Sequence, residues 1–268
     1  MRDTFPIQLD RAIFLADGHL NQDDVHSRTF LSMAEAAAAQ RVPMFLLGDM
    51  FDLWFGSPGL TFPFQRLIID RLRELRRKGL RLVYVEGNRD FYLKEEHEGT
   101  TCDFVAEGDL RVAVAGKRVH LSHGDTVNRA DLPYRFWKGL SKNRLANRLV
   151  AQLPAGFFLP LADRVERKLK RYNRRHKESF PEADCRSYAA ALFAAGTDFI
   201  VLGHFHQERQ NRDVDEFSAN SGTEMASPAG VLAVLPSWKE AYRYFYIAAD
   251  AAYGFRVFRP GEPLIPQP

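Results

Sequence analysis

Seven side chains suited to binding divalent metal ions occur in five short motifs of the sequence. Each motif directly follows an apolar run that predicts a buried strand. The motifs supply carboxylates, imidazoles and one amide but no thiolate. This donor set suits Mn²⁺, Fe²⁺ or Zn²⁺ better than Ca²⁺ or an iron–sulfur cluster. The seven candidate ligands are Asp17, His19, Asp49, Asn88, His123, His204 and His206.

The number of candidate ligands favours two metal ions over one. Seven ligands are too many for one catalytic ion, but they provide four for each of two ions if one carboxylate is shared. Two ions roughly 3.5–4 Å apart clamp a phosphoryl group and activate water near neutral pH. Any one of these motifs alone would also fit an ordinary turn, in which Gly permits positive φ and Asp caps the next element. Five motifs at equivalent positions favour a two-metal centre.

The apolar runs in the first half of the chain alternate with helical segments. Residues 12–16 (AIFLA), 44–47 (MFLL) and 82–85 (LVYV) predict buried strands. An alanine-rich helix lies between the first two, and a helix that begins at Pro63 lies between the second and third. This order predicts a parallel sheet flanked by helices. Because such sheets bind ligands at the carboxyl ends of their strands, we expect the motifs to meet there.

The second half of the chain has weaker periodicity. A hairpin is predicted at residues 115–117, a helix around 187–195 and a buried strand at 199–202. The three apolar segments after residue 230 (VLAVL, YRYFYIA and YGFRVF) predict antiparallel strands.

Length and composition limit the class of protein. The 268 residues, 46% of them hydrophobic, suffice for one large domain with a substantial core. Two cysteines cannot form a disulfide scaffold or a four-thiolate zinc site. The sequence contains no apolar run of the roughly 20 residues that a membrane span needs, and MRDTFPIQLD lacks the apolar segment of a secretory signal. We therefore expect a cytoplasmic protein with reduced thiols.

A basic segment interrupts an otherwise acidic chain. The net charge is +3, yet residues 129–177 contain fourteen Lys or Arg and only three acidic residues. Within them, residues 149–161 (LVAQLPAGFFLPL) are thirteen uncharged residues in a row. Most charge runs are solvated helix faces, and a buried helix with a basic outer face would explain this one. A basic helix beside an apolar run is also typical of an element that lies on an anionic membrane. Charge alone leaves both interpretations open.

The motifs, taken together in order, resemble a known enzyme superfamily. D-x-H, GDxxD, GNRD, HGD and GHxH, from Asp17 to His206, are similar to the motifs of the calcineurin-like metallophosphoesterases. GDMFDLWFG, EGNRDFYL, and SHGDT followed by DLPYRFW resemble more narrowly the UDP-2,3-diacylglucosamine hydrolase family. The resemblance implies an α/β calcineurin-like metallophosphoesterase fold, with central β-sheets flanked by helices. It implies a single domain over residues 1–268 with a helical lid insertion at about 132–188.

The resemblance also implies an activity and roles for individual residues. The expected reaction is hydrolysis of the pyrophosphate bond of UDP-2,3-diacylglucosamine to 2,3-diacylglucosamine 1-phosphate (lipid X) and UMP, in lipid A biosynthesis. The expected cofactors are two Mn²⁺ ions, with Fe²⁺ or Zn²⁺ as alternatives. One ion would be held by Asp17, His19, Asp49 and His206, and the other by Asp49, Asn88, His123 and His204. The expected catalytic residues are Asp49, Asn88, Arg89 and His123. The expected substrate contacts are Asn88, Arg89, Asp131 and Tyr134.

The expected partners follow from the same resemblance. They are a lipid-linked nucleotide substrate and an anionic membrane surface, which the basic and apolar lid would contact from the cytoplasmic side of the inner membrane. No nucleic acid and no obligate protein partner is expected. One alternative is a phosphodiesterase or nuclease of the same superfamily that acts on soluble nucleotides or nucleic acid, although a nucleic-acid groove has no need of the uncharged run. The other is a non-catalytic scaffold without metals, which the intact ligand set disfavours.

Overall fold

The computed structural model describes residues 3–22, 24–127, 180–207, 209–211, 230–250 and 252–266. Most of the predicted lid insertion, about 132–188, lies outside these ranges, as do Asp131 and Tyr134. The last part of that range, from residue 180, is described and leads into a helix.

The described residues form strands and helices that alternate through the first half of the chain. The strands are β1 (Asp3–Leu9), β2 (Ala12–Leu15), β3 (Met44–Leu46), β4 (Trp54–Phe55), β5 (Leu82–Val85), β6 (Asp90–Phe91), β7 (Phe104–Ala106), β8 (Leu110–Val114), β9 (Lys117–Ser122), β10 (Phe199–Leu202), β11 (Arg209–Asn211), β12 (Val231–Val234), β13 (Arg243–Ile247) and β14 (Tyr253–Val257). The α-helices are α1 (Val25–Gln40), α2 (Pro63–Arg77), α3 (Leu93–His97), α4 (Glu182–Ala194) and α5 (Trp238–Ala241).

Within the described ranges, the strands form two six-stranded sheets and a short ribbon of β4 and β6. The first sheet has the order β14-β13-β2-β3-β5-β7, in which β2, β3, β5 and β7 are parallel. The second has the order β1-β8-β9-β10-β12-β11, and its β8 and β9 form the predicted hairpin. The predicted α/β class, with helices flanking central sheets, is confirmed.

The two sheets pack face to face, and helices cover their outer faces. Phe14 and Phe45 of the first sheet share one buried cluster with Leu121 and Val201 of the second. Ile13 points the other way, into a cluster with residues of α1 and α2. Because successive residues of a strand face opposite sides and both sides are buried here, the central strands are continuously apolar. That is the pattern that the sequence shows.

Two predictions differ from the structure in detail. The predicted helix around 187–195 begins earlier, because α4 spans Glu182–Ala194. The predicted antiparallel pairing after residue 230 is confirmed for β13 and β14, whereas β12 runs antiparallel to β11 but parallel to β10. Its four residues are all buried, as is typical of a strand covered on both faces. Among the described helices, none has the length and apolar character that a membrane-spanning helix requires.

Candidate metal centre

The loops that follow five strands meet on the side of the paired sheets where these strands have their carboxyl ends. β2 leads to Asp17 and His19, β3 to Asp49, β5 to Asn88 and Arg89, β9 to His123, and β10 to His204 and His206. The first three strands belong to one sheet and the last two to the other. The structure therefore brings all seven predicted ligands and Arg89 to the place where the carboxyl ends of both sheets converge.

One group of candidate ligands consists of Asp17, His19 and His206. One ligand atom from each lies within 4.8 Å of the others. His206 Nε2 is 3.2 Å from Asp17 Oδ1 and 3.3 Å from His19 Nε2. Asp17 is fully buried and His19 is nearly so. A buried carboxylate facing two imidazoles is a suitable donor set for a divalent cation.

A second group consists of Asp17, Asp49 and His123, whose ligand atoms also lie within 4.8 Å of one another. Asn88 joins it, because its Oδ1 is 2.9 Å from His123 Nε2 and 3.1 Å from His204 Nδ1. Asp17 is thus common to both groups. The family resemblance assigns the shared position to Asp49, and that assignment stays a prediction.

The tautomers of two histidines indicate that the centre is built for cations. His19 Nδ1 lies 2.9 Å from Asp52 Oδ1, and His123 Nδ1 lies 2.8 Å from the carbonyl oxygen of Leu47. Both partners accept hydrogen bonds, so each Nδ1 carries a proton, and loss of the proton from Nε2 leaves a lone pair directed into the centre. The Nε2 of His123 faces Asn88 Oδ1, so with the ring in its neutral form two acceptors would face each other. A cation between them removes this repulsion, so the residues present fit a metal site.

Electrostatics favour a positive charge at the same place. Burial lowers the pKa of His19 despite its contact with Asp52, and burial with His123 lowers the pKa of His204 to about 4. Burial alone would raise the pKa of Asp17, but His206 and the neighbouring histidines outweigh it and hold that pKa below its ordinary value. Burial alone would lower the pKa of His123, but the charges of Asp49 and Asp17 outweigh burial and raise that pKa above its ordinary value. Without a metal, the carboxylates therefore attract a proton to His123.

The backbone at the centre is unusual. Five of the seven predicted ligands have positive φ: Asp17 (53°), His19 (42°), Asp49 (54°), His204 (71°) and His206 (56°). This left-handed region is uncommon for residues other than glycine and costs roughly 1–2 kcal/mol per residue. Strained residues of this kind cluster at functional sites, where the surrounding structure holds them in place.

Two glycines of the motifs are required by close packing of the loops. Gly48 has a φ of 81°, and a Cβ there would lie 2.6 Å from the Cα of Gly87. A Cβ on Gly87 would lie 2.4 Å from Asp49 Oδ1. Real Cβ atoms do not approach other atoms so closely, so only glycine lets the loops after β3 and β5 approach each other this closely.

Asp90, for which sequence analysis proposed no role, holds these loops together. Its Oδ2 accepts hydrogen bonds from the backbone N–H of Asp49 at 2.9 Å, from that of Gly87 at 2.8 Å and from the Tyr84 hydroxyl at 2.9 Å. Burial, together with the charge of Asp49, raises the pKa of Asp90 to about 7. In the sequence, this supporting role is indicated only by the position of Asp90 as the last residue of the GNRD motif.

A serine distant in sequence also supports the centre. Ser237, which is fully buried in the loop before α5, donates a hydrogen bond from Oγ to the carbonyl oxygen of Asp17 at 2.8 Å. Sequence analysis missed it because nothing in the sequence connects positions 220 residues apart.

Arg89 lies beside Asp49 at the edge of the centre. Its Nε is 3.4 Å from Asp49 Oδ2, its Nη1 donates to the carbonyl oxygen of Asp52 at 3.1 Å, and its backbone N–H donates to Asp49 Oδ1 at 2.9 Å. These contacts hold a planar guanidinium next to the predicted ligands, where its geometry suits two phosphate oxygens.

Replacing Asp52 with alanine is expected to weaken Mn²⁺ binding about 10- to 100-fold, because carboxylates that orient metal-binding histidines contribute on that scale. The loss should affect the group that contains His19 and leave the group that contains His123 unchanged. Calorimetric titration of the metal-free protein with Mn²⁺ measures both steps.

The matched control for this prediction is Asp24→Ala. Asp24 caps α1 by accepting a hydrogen bond from the backbone N–H of His26 at 2.6 Å. Its loss should lower stability by about 1 kcal/mol without changing metal affinity. Wild-type Mn²⁺ affinity in a folded Asp52→Ala variant would contradict an orienting role for Asp52.

Three curated proteins similar to this chain carry the same name. No protein-family model matches the chain. It is 27% identical over 198 residues to a UDP-2,3-diacylglucosamine hydrolase of Pseudomonas putida (strain W619), which covers 73% of this chain and 81% of that protein. It is 24% identical to the hydrolase of this name from Hamiltonella defensa, over 73% of this chain and 76% of the relative. It is 23% identical to the hydrolase of this name from Histophilus somni, over 84% of this chain and 97% of the relative.

A solved structure agrees with the architecture. The Plasmodium protein GAP50, named as the anchor in the inner membrane complex, superimposes with a TM-score of 0.52 and 14% identity over 95% of this chain and 86% of that protein. At this identity the likeness concerns the fold alone. The predicted resemblance is therefore confirmed: the chain is a hydrolase with an α/β fold, similar over most of its length to proteins named UDP-2,3-diacylglucosamine hydrolase.

Proposed function

We propose that this chain hydrolyses the pyrophosphate bond of UDP-2,3-diacylglucosamine with two divalent metal ions, giving 2,3-diacylglucosamine 1-phosphate and UMP in lipid A biosynthesis. The observation that carries the proposal is the convergence of carboxylates, imidazole lone pairs and one arginine at a single edge of the sheets. The names of the relatives supply the substrate. The donor set supports the two ions.

The proposed ion sites follow the family resemblance. Asp17, His19, Asp49 and His206 would hold one ion, and Asp49, Asn88, His123 and His204 the other. Mn²⁺ suits these mixed oxygen and nitrogen donors, with Fe²⁺ or Zn²⁺ as alternatives. When bound, two such ions supply Lewis-acid polarisation of phosphoryl oxygens and make water acidic enough to react near neutral pH.

The protein's own residues would prepare the reaction by fixing orientation. Asp52 and the Leu47 carbonyl hold His19 and His123 in the tautomer that leaves Nε2 free for a metal. Arg89 would bind two oxygens of the phosphoryl group through parallel N–H donors, because Asp52 already holds its guanidinium in place. The negative charge that develops during cleavage would then be met by donors that need no reorganisation.

The basic segment supports the lipid part of the proposal. Residues 149–161 would accommodate acyl chains, and the basic residues around them would attract anionic headgroups at the inner face of the inner membrane. A lid insertion at about 132–188, with Asp131 and Tyr134 as substrate contacts, completes this proposal.

A comparison of three substrates tests the function. The purified chain with Mn²⁺ should convert UDP-2,3-diacylglucosamine to UMP and the diacylated sugar phosphate, identified by mass spectrometry. UDP-N-acetylglucosamine, which lacks both long acyl chains, should react far more slowly, since each buried CH₂ contributes about 0.8 kcal/mol. Bis(p-nitrophenyl) phosphate serves as the generic phosphodiester.

The outcomes separate the proposed function from its alternatives. Equal rates on the acylated and the unacylated substrates would favour a phosphodiesterase of soluble nucleotides. Absence of hydrolysis of all three substrates with Mn²⁺, Fe²⁺ and Zn²⁺ would favour a non-catalytic scaffold.

A further inference from the structure

One phenylalanine stands between two of the predicted metal ligands. Phe205 separates His204 from His206 in the loop after β10, and its ring packs against a hydrophobic cluster outside the metal centre. This cluster, which we call the α4 cluster, has as its buried members Val127, Cys185, Ala189, Leu192, Phe193, Ile200, Leu202, Leu232 and Val234, with Phe180, Tyr188 and Phe205 partly buried against them. Phe205 thus connects the metal loop to the packing of α4 on the second sheet.

The ring of Phe205 contacts the ring of its neighbour His204 edge to face, with ring centroids 5.4 Å apart and an interplanar angle of 78°, and it makes two further contacts. It meets Phe180 edge to face, with ring centroids 5.2 Å apart and an interplanar angle of 74°. Such aromatic pairs contribute about 0.5–1.5 kcal/mol beyond the area that they bury. The ring also lies against Gly124, where a Cβ would be only 3.2 Å from Phe205 Cε2. Gly124 directly follows His123, so the ring contacts the backbone beside a third predicted ligand.

The loop that carries Phe205 is strained on both sides of it. His204 has a φ of 71° and His206 a φ of 56°. The backbone N–H of His204 donates to Asp17 Oδ2 at 2.7 Å, a contact within the metal centre itself. A strained loop keeps its conformation only if surrounding contacts hold it. The packing of Phe205 supplies such contacts on the side of the loop that faces the α4 cluster.

The α4 cluster also contains the two described residues that flank residues 128–179 in the sequence. Val127, the last described residue before residues 128–179, is buried in it, and its backbone N–H donates to the carbonyl oxygen of Gly124 at 3.1 Å. Phe180 is the first described residue after them. Val127 and Phe180 therefore pack as one unit with the backbone beside His123 and the loop that carries His204 and His206.

We infer that Phe205 is a positioning residue: its ring packs on Phe180 and Gly124, sets the positions of His204 and His206, and connects them to the α4 cluster. This inference rests on the proposed two-metal function and deepens it. In that function His204 and His206 hold different ions, so one side chain influences both metal sites.

The number of Mn²⁺-binding steps that a variant weakens distinguishes a residue that positions both metal sites from a residue that supports only one. Phe205→Ala should lower the affinity of both Mn²⁺-binding steps by about tenfold, toward the lower end of what loss of an orienting neighbour costs. Asp52→Ala should weaken only one step. Phe205→Tyr keeps the ring and should bind Mn²⁺ as the wild type does.

A double-mutant cycle tests the contact with Phe180. Phe180→Ala should weaken both steps less than Phe205→Ala, and the double variant should be no weaker than Phe205→Ala alone, because both changes remove one contact. Additive losses would overturn the coupling to Phe180.

The experiment is calorimetric titration of the metal-free full chain with Mn²⁺, with thermal unfolding recorded for each variant. Phe193→Leu is the control, because Phe193 belongs to the same cluster but packs against Gly230. It should lower stability and leave both affinities unchanged. If Phe205→Ala does not fold, Phe205→Leu replaces it.

Three results would overturn the inference. Wild-type affinities in a folded Phe205→Ala variant would remove the positioning role. Equal losses in Phe205→Ala and Phe193→Leu would reduce it to general core packing. A wild-type chain that binds no Mn²⁺, Fe²⁺ or Zn²⁺ would overturn the proposed function itself and this inference with it.

Discussion

Replacement of Asp49 with asparagine is expected to lower turnover by about three orders of magnitude or more, because it removes the charge of the carboxylate proposed to bind both ions. Asparagine is the informative substitution. Asp49 has a φ of 54°, which asparagine tolerates and alanine does not. An amide oxygen can also still accept the hydrogen bond from the backbone N–H of Arg89. Steady-state turnover and the Mn²⁺ content of the purified variant check the prediction.

The control for this variant is an aspartate at the opposite ends of the strands, away from the metal centre. Asp103 pairs with Arg76 Nε at 2.9 Å and accepts a hydrogen bond from the backbone N–H of Leu82 at 2.8 Å, at the amino ends of β5 and β7. Asp103→Asn should keep normal turnover. Wild-type rates and full Mn²⁺ content in Asp49→Asn would mean that the two-ion centre does not depend on this carboxylate.

Removal of the Arg89 side chain is expected to leave metal binding intact and to lower kcat/KM about 100- to 1000-fold. The backbone N–H of residue 89 would still donate to Asp49 Oδ1, and Asp90 would still accept from the backbone N–H of Asp49. The ligands therefore stay in position. What is lost is a guanidinium that would bind the charge developing on the phosphoryl oxygens. Kinetics and metal content of Arg89→Ala measure the two effects separately.

Two further variants define the role of Arg89. Arg89→Lys keeps the charge but loses the planar pair of donors, so it should recover only part of the activity. Arg118→Ala removes a guanidinium that pairs with Asp198 at 3.6 Å, and it should leave kcat/KM unchanged. Loss of Mn²⁺ from Arg89→Ala would assign this side chain to the support of Asp49 and not to the substrate.

The central strands could be predicted because their burial is visible in the sequence. Ile13 and Phe14 face opposite sides of the first sheet, and both sides are covered, so the run 12–16 is apolar throughout. The direction of β12 could not be predicted in the same way. Its four apolar residues would suit a parallel or an antiparallel neighbour equally, and the choice of β10 as its partner depends on how the chain returns to the sheet.

The ligands could be predicted because each follows a recognisable strand and carries a side chain with few other uses there. The residues that hold these ligands in place could not be predicted. Asp52 contacts His19 across 33 residues and Asp90 contacts Asp49 across 41, although both acids belong to the motifs. The sequence alone does not show which residues so far apart in the chain come into contact. The role of Ser237 depends on a single hydroxyl group. Asp131 and Tyr134 stay predictions, because they lie outside the described residues.

The left-handed backbone of the metal ligands has a consequence for engineering this enzyme. Glycine at His19, His204 or His206 would relieve a steric cost of roughly 1–2 kcal/mol at each position but would delete a ligand. Glycine at Asp17 or Asp49 would bring no such gain, because both carboxylates accept backbone hydrogen bonds. A mutant library screened only for heat resistance is therefore expected to enrich inactive variants at these three histidine codons. A screen that couples survival of heating to retained hydrolysis would have to exclude them, and the backbone torsions identify these codons before any library is made.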